Sequence, residues 1–207
     1  MYTPEIFAEH DREEIAAMIR SVGLATLVTN SSEGLLATPL PLLFCEGEGE
    51  HGVLHGHIAR ANLQWKHEPI GDAMVIFQGA NAYVRPAWYP SKTEHGRVVP
   101  TWNYIAVHAY GPVEFYDDPD RLLEAVSALT DRFEASRTDR WSVQDAPGDY
   151  IKAQLRGIVG VRIPIRRFDA KKKLSQNQSV QNRSGVKVGL SESKRDEDRA
   201  IAEMMPI

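Results

Sequence analysis

The chain has 207 residues, 43% hydrophobic and 25% charged, as in an ordinary soluble globular protein. Its 24 basic and 28 acidic residues give a net charge of −4, so it lacks the basic excess of a strong nucleic-acid binder and direct DNA binding is doubtful. The single cysteine, Cys45, excludes an intramolecular disulfide and a cysteine-rich zinc site. The first residues carry no secretory signal, and no apolar run approaches the ~20 residues that span a bilayer, so we expect a cytoplasmic protein without membrane association.

The first elements predict a helix followed by two antiparallel strands. Asp11 is placed to cap a helix over residues 11–22, with Glu14 three residues later as in a capping box. Residues 24–29 and 35–44 have the composition of strands and are separated by a polar turn. Because two prolines in the second strand cannot donate backbone hydrogen bonds, we expect that edge of the strand to be open to solvent, to a ligand or to a kink. Thr38 lies beside the first proline, where a free backbone edge can meet a ligand.

A third strand over residues 53–58 carries His55 and His57 on one face, because side chains alternate along a strand. Two histidines on a face can bind a metal ion, but the sequence shows no third ligand near them. We therefore predict no metal site.

A short helix is predicted over residues 59–67, with Arg60 and Asn62 in its first turn. Free backbone N–H groups and a guanidinium at such a position form a natural phosphate site. The alternative is an ordinary surface arginine in a strand–helix connection.

The middle of the chain predicts strands over residues 73–79 and 82–86, joined by a tight turn, and then a loop with the aromatic and charged composition of a binding site. A long strand follows from residue 104, where apolar and polar side chains alternate. Just before it stand Thr101, Trp102 and Asn103. This mixture of aromatic and hydrogen-bonding groups is not needed in a core strand and suits a flat, polar-rimmed aromatic ligand.

The last third of the chain predicts two helices, a long strand and a terminal helix, over residues 119–135, 149–156, 158–169 and 191–207. Asp117 or Asp118 is placed to cap the first of these helices, with Pro119 in its first turn. Together these elements favour an α+β fold, mainly antiparallel β with helices around a barrel. We expect one domain over residues 1–207, with a tail from about residue 171 that packs on the barrel or on a partner subunit through Ile201, Met204 and Met205.

Several motifs of nucleotide binding and catalysis are missing from the sequence. It contains no glycine-rich dinucleotide fingerprint, no P-loop and no nucleophile elbow, and no two predicted helices are joined as in a helix-turn-helix. A bound phosphate would therefore be held by scattered donors.

Three segments of the sequence have an unusual wording. They are H-I-A-R-A-N-L-Q-W (57–65), the block A-W-Y-P-S-K-T-E-H-G-R-V-V-P-T-W-N-Y-I-A-V-H-A-Y-G (87–111), and K-K-K-L-S-Q-N (171–177) followed by G-V at 185–186. Together they resemble the PaiB family of FMN-binding negative transcriptional regulators. The resemblance implies an FMN-binding split β-barrel related to pyridoxine-phosphate oxidases. It also implies a homodimer with the flavin at the interface.

The resemblance assigns roles to most of the polar residues noted above. It places Arg60 and Asn62 on the phosphate, and Thr38, Thr101 and Asn103 beside the flavin or its ribityl chain. Trp102 packs against the isoalloxazine ring or, alternatively, lies in the core of the dimer interface. The full predicted set of cofactor-binding residues is Thr38, His57, Arg60, Asn62, Thr101, Trp102, Asn103, Lys173, Ser175, Gln176 and Asn177, the last four reaching the flavin of the partner subunit.

Two functions follow from the resemblance, and a third is weaker. The first is an FMN-binding regulator of transcription. The second is an FMN-dependent oxidoreductase acting on a small molecule, for which His57, His108 and Tyr104 are candidate proton donors and no catalytic residue is assigned, so whether the chain is an enzyme stays open. The third is haem binding through a histidine, for which the candidates are His55, His57, His95 and His108.

Overall fold

The computed structural model describes residues 1–207 and contains six α-helices and nine strands. The helices are α1 (Arg12–Ser21), α2 (Ser91–His95), α3 (Pro119–Glu134), α4 (Gly148–Leu155), α5 (Val180–Ser191) and α6 (Asp196–Met204). The strands are β1 (Ala25–Ser31), β2 (Gly34–Leu40), β3 (Leu42–Cys45), β4 (Val53–Ala59), β5 (Ala73–Val84), β6 (Thr101–Gly111), β7 (Glu114–Tyr116), β8 (Ile158–Pro164) and β9 (Arg167–Lys173). No helix is both long enough and apolar enough to cross a membrane.

The strands form two sheets. The first has five strands in the order β2-β1-β5-β6-β9, and the second has four in the order β3-β4-β8-β7. In the first sheet, β1 pairs antiparallel with both β2 and β5. In the second, β4 pairs antiparallel with β3 and β8, and β7 with β8. The prediction of an α+β fold built mainly on antiparallel strands is confirmed.

The chain divides into two compact units that are interleaved in sequence. Unit 1 comprises residues 1–18, 78–107 and 169–207, and unit 2 comprises residues 19–77 and 108–168. The chain therefore passes between the units four times, at residues 18–19, 77–78, 107–108 and 168–169. Each passage lies inside a regular element, namely α1, β5, β6 or β9.

Unit 2 buries the apolar face of α3 against β3, β4 and β8. Asp118 caps this helix by accepting a hydrogen bond from the backbone N–H of Arg121 at 2.9 Å, and a proline occupies the first turn, as the sequence predicts. Leu122 of the helix and Leu54 and Ile163 of the sheet are almost completely buried, which places the unit's core between these elements.

Unit 1 contains the C-terminal helices α5 and α6, which pack on each other. Two glycines spaced by one helical turn let α5 lie directly on the segment before α2. A Cβ at Gly185 would stand 2.1 Å from the backbone oxygen of Trp88, and one at Gly189 would stand 2.4 Å from its indole ring. Trp88, expected in a binding loop, instead forms the surface on which α5 packs.

The first helix was predicted well. α1 begins after Asp11, whose carboxylate accepts hydrogen bonds from the backbone N–H groups of Glu13 and Glu14 at 2.8 and 3.1 Å. The capping box also predicts that the Glu14 side chain accepts a hydrogen bond from the backbone N–H of Asp11, and this prediction is wrong. The N–H of Asp11 donates to Glu9 at 2.9 Å, while Glu14 pairs with Lys172.

The bounds of several other elements differ from the prediction. β6 begins at Thr101 rather than at residue 104, so Thr101, Trp102 and Asn103 lie within the strand and not before it. Residues 35–44 form two strands in different sheets, because the chain breaks at Pro41, which has no N–H to donate. Residues 158–169 likewise divide into β8 and the start of β9. In contrast, residues 73–84 form one strand without the expected turn. The terminal region contains two helices rather than one, and the buried side chains of Ile201 and Met205 pack within the chain.

The helix expected over residues 59–67 is a short 3-10 helix over Leu63–Lys66 only. Its N-cap is Asn62, whose side chain accepts a hydrogen bond from the backbone N–H of Gln64. Arg60 lies before this helix, so the two residues do not share its first turn as predicted.

Candidate functional site

In unit 2, Thr38 and Asn62 are brought together by a buried glutamine. The Asn62 side-chain amide donates to Thr38 Oγ1 at 2.8 Å, and Thr38 donates in turn to Gln64 Oε1 at 2.5 Å. The Gln64 amide nitrogen then donates to Thr29 Oγ1 at 2.9 Å. This amide–hydroxyl chain fixes the orientation of each group, and Thr38 and Asn62 remain partly accessible to a ligand with hydroxyl or carbonyl groups.

Arg60 is held by backbone oxygens at the end of β4. Its Nε donates to the carbonyl of Arg156 at 2.9 Å and Nη2 to that of Ile158 at 3.1 Å, while Nη1 lies 3.3 Å from Asp117. A guanidinium has five N–H donors, so two are left over after these three bonds. Arg60 is thus anchored in a defined position and can still donate to an anion.

His57, on β4, has a polar atom without a partner. Its Nδ1 is buried and makes no hydrogen bond. Burial lowers the pKa of this imidazole below its ordinary value of 6.5, so the ring is neutral at physiological pH. A neutral histidine with an unpaired nitrogen can donate to, or accept from, a ligand group that replaces water.

The lowered pKa of His57 makes unfolding depend on pH. Below pH 6.5 the His57 side chain is protonated in the unfolded chain but stays neutral in the folded chain. The free energy of unfolding should therefore fall as pH drops through this value. We expect His57→Gln to reduce this dependence in urea unfolding curves recorded between neutral and mildly acidic pH. His10→Gln, at a surface histidine, is the control and should retain it. If the free energy of unfolding of His57→Gln depends on pH as steeply as that of the unaltered protein, His57 is not the source of this dependence.

In unit 1, Lys173 joins the start of β6 to the end of β9. Its ammonium donates to Thr101 Oγ1 at 2.8 Å and to the backbone oxygen of Trp102. Burial, and then the charge of Lys171, lower the pKa of Lys173. An ammonium has three donors, so one N–H remains for a ligand anion.

The turn after β9 is tied to the interior of β6. Ser175 donates to Asn103 Oδ1 at 3.0 Å, and both residues are buried. Ser175 has a φ of 63°, a left-handed conformation that is unusual outside glycine. Gln176 closes the turn by accepting from the N–H of Leu174 at 2.6 Å, whereas Asn177 is exposed. The structure therefore brings Thr101, Asn103, Lys173 and Ser175 together within one chain.

Trp102 presents an aromatic surface to solvent. Its side chain is 48% exposed and lies edge-on to Tyr83, with ring centroids 6.0 Å apart. Tyr83 is itself 43% exposed. Two accessible aromatic rings beside a lysine form a surface on which a planar ligand can stack.

Two polar residues that make buried or aromatic contacts in the structure are not marked by any local pattern in the sequence. Gln64 stands between two large apolar side chains in the sequence, yet it is buried at the centre of the amide–hydroxyl chain. Lys171 reads as a solvated surface lysine, but its ammonium lies over the rings of Tyr2, Phe7 and Tyr104, at 5.2–5.9 Å from their centroids. Both depend on contacts between segments distant in sequence.

The family model described as "Putative FMN-binding domain" matches residues 1–167. The chain belongs to this family. It is 32% identical over 206 residues to the protein named "Protease synthase and sporulation protein PAI 2" of Bacillus subtilis, a match that covers 99% of this chain and 96% of that protein. The predicted relationship to the PaiB family is confirmed.

Solved structures share the fold of this chain at low sequence identity. The flavocytochrome Anf3 of Azotobacter vinelandii superposes with a TM-score of 0.59 at 15% identity, covering 80% of this chain and 69% of that one. An FAD and heme binding protein of Mycobacterium smegmatis gives 0.56 at 17% identity, with 80% and 72% covered. At these identities the likeness establishes the split-barrel fold class of this family member and nothing about its ligand.

Proposed function

We propose that the chain binds FMN without a covalent bond and does so as a homodimer. The observation that carries this proposal is the match of residues 1–167 to the FMN-binding domain family. FMN requires three kinds of partner, namely cations for its phosphate, hydrogen-bonding groups for its ribityl chain and ring edges, and a flat surface for its isoalloxazine. The chain contains residues of all three kinds.

The cations fit a phosphate because each retains free donors. Lys173 has one N–H beyond its bonds to Thr101 and Trp102, and Arg60 has two beyond its bonds to Arg156, Ile158 and Asp117.

Neutral groups fit the rest of the cofactor. The partly accessible Thr38 and Asn62 suit hydroxyl groups of the ribityl chain, and the Trp102 ring suits stacking. The buried, unpaired Nδ1 of His57 suits a polar atom of the isoalloxazine edge.

The homodimer is proposed because apolar side chains of unit 1 are exposed to solvent. Val99 is 73% exposed, in the segment that leads into Thr101 and the half-exposed Trp102. Pairing with a second chain would remove such surface from water, and the residues assigned to the flavin lie in the same segment.

Spectroscopy and mass measurement together test this proposal. We expect the purified chain to show a flavin absorption band, or to quench FMN fluorescence on titration, and native mass spectrometry to give two FMN per two chains. Failure to bind FMN would refute the cofactor assignment. A monomer that binds one FMN would refute only the dimer. A Soret band in place of a flavin band would favour the haem alternative.

We propose that any effect of this protein on transcription is indirect. Helices α5 and α6 are the pair that could resemble a helix-turn-helix, since they pack together across a short connection. However, α6 begins with Asp196, Glu197 and Asp198, and acidic side chains at this position repel DNA phosphates. A gel shift of promoter DNA by micromolar protein at physiological salt would contradict this proposal.

FMN-dependent reduction of a small molecule is the second candidate. Bound FMN would supply the redox chemistry, and the chain would supply binding, orientation and proton-holding groups. The unpaired Nδ1 of His57 favours this candidate, because an imidazole nitrogen without a partner can form a hydrogen bond with a reacting group. Stopped-flow mixing of the FMN-loaded protein with NADH or NADPH tests it, and a flavin that neither compound reduces would count against it.

A further inference from the structure

Three metal-ligating side chains converge on the β3–β4 hairpin of unit 2, outside the residues assigned to the flavin. Cys45 ends β3, Glu48 lies in the connecting loop and His55 lies on β4. One ligand atom from each of the three lies within 4.8 Å of the other two. His55 Nε2 is 3.1 Å from both carboxylate oxygens of Glu48.

The strand register explains the convergence. Leu43 is paired with His55, and Cys45 with Val53, in the antiparallel hairpin. Cys45 is two residues from Leu43, so its side chain lies on the same face of the sheet as that of His55, one diagonal step away. The loop then folds Glu48 back over this face.

We propose that Cys45, Glu48 and His55 bind one transition-metal ion of the zinc class, through the thiolate sulfur, a carboxylate oxygen and Nε2. Metal–ligand distances of about 2.0–2.3 Å in a tetrahedral site place ligand atoms roughly 3.5 Å apart, so the three side chains need to close by only about 1 Å. A thiolate and an imidazole select zinc, cobalt or copper over calcium and magnesium, which prefer oxygen ligands alone.

The space beside the cluster supplies the fourth coordination position. A cavity of about 250 Å³ is lined by Cys45, Glu48 and His55 together with residues of α3, β7 and β8. Three protein ligands with an open position are the arrangement of zinc sites that bind water or a small anion. Arg121, Arg162 and Glu124 line the same cavity, so charges of both signs lie around it.

Two features of the metal-free cluster have to change when the ion binds. The Cys45 thiol releases its proton to solvent when the ion binds, because the thiolate is the form that coordinates a metal. Arg162 lies 3.9 Å from Glu48 and also pairs with Glu114 at 3.7 Å, so it can give up the first contact and keep the second.

Cobalt(II) is the probe for this site, because a cobalt–thiolate bond gives a charge-transfer absorption band. We expect the full-length protein to bind one Co²⁺ with this band, and Zn²⁺ to displace it. The band should vanish in Cys45→Ser. Glu48→Gln and His55→Ala should each weaken Zn²⁺ affinity at least about tenfold. Mutation of a residue that only hydrogen-bonds to a metal ligand already weakens metal affinity by about that factor.

His51→Ala is the matched control, because His51 lies in the same loop outside the cluster. It should bind both metals as the unaltered protein does. The proposal is overturned if no thiolate band appears. It is also overturned if Glu48→Gln and His55→Ala both keep the thiolate band and bind Zn²⁺ as tightly as the unaltered protein. In that case the metal binds adventitiously to the Cys45 thiol alone. The readout does not depend on the flavin.

Discussion

Lys173→Met is expected to weaken FMN binding by about tenfold to a hundredfold, because a hydrogen bond to a charged group contributes about 1.5–3 kcal/mol. The ammonium of Lys173 already donates to Thr101 and to the backbone of Trp102, so its remaining N–H points from a fixed position. Methionine keeps the length and apolar stem of the side chain while removing the charge. Fluorescence titration with FMN measures the change.

Lys172→Met is the matched control for this prediction. Lys172 is the preceding residue on β9, and its ammonium is engaged by Glu9 at 2.9 Å and Glu14 at 2.6 Å. Its removal should leave FMN affinity unchanged. Titration with riboflavin, which lacks the phosphate, locates the contact. If Lys173 binds the phosphate, riboflavin affinity should be the same in Lys173→Met and the unaltered protein. FMN affinity within twofold of the unaltered protein would refute the role of Lys173.

Gly185→Ala is expected to destabilise the protein by about 2–3 kcal/mol, although alanine is normally the better helix former by about 1 kcal/mol. The sign is reversed because the added Cβ would stand 2.1 Å from the backbone oxygen of Trp88, and a backbone atom cannot turn aside as a side chain can. For a chain of this size the melting temperature should fall by about 5–10 °C. Thermal unfolding followed by circular dichroism measures it.

Gly148→Ala provides the comparison for Gly185→Ala. Gly148 begins α4, and a Cβ there would meet no atom within 4 Å. This substitution should be neutral or slightly stabilising. If both variants melt at the temperature of the unaltered protein, α5 does not pack on Trp88 in the way described.

Elements with strong local signals were predictable from the sequence. The caps formed by Asp11 and Asp118, each followed by regularly spaced apolar residues, located α1 and α3. By contrast, α5 was missed, because its two glycines and several polar residues give it weak helix propensity. Those glycines are explained by the close approach of Trp88, which only the folded chain reveals.

The residue types proposed for the site are evident in the sequence, whereas the contacts among them are not. Thr38 and Asn62 are separated by 24 residues, and the buried Gln64 that orients them carries no distinguishing local pattern. The Cys45–Glu48–His55 cluster was overlooked for a related reason. Without the hairpin register, His57 looked like the natural companion of His55, whereas the ligand groups that converge on it come from β3 and the loop.

The four chain passages between the units have a consequence for engineering of the protein. Because each passage lies within a helix or strand, there is no linker at which the gene could be divided to yield either unit in one piece. Neither unit can therefore be expressed alone, or transplanted into another scaffold, as one contiguous segment of this chain.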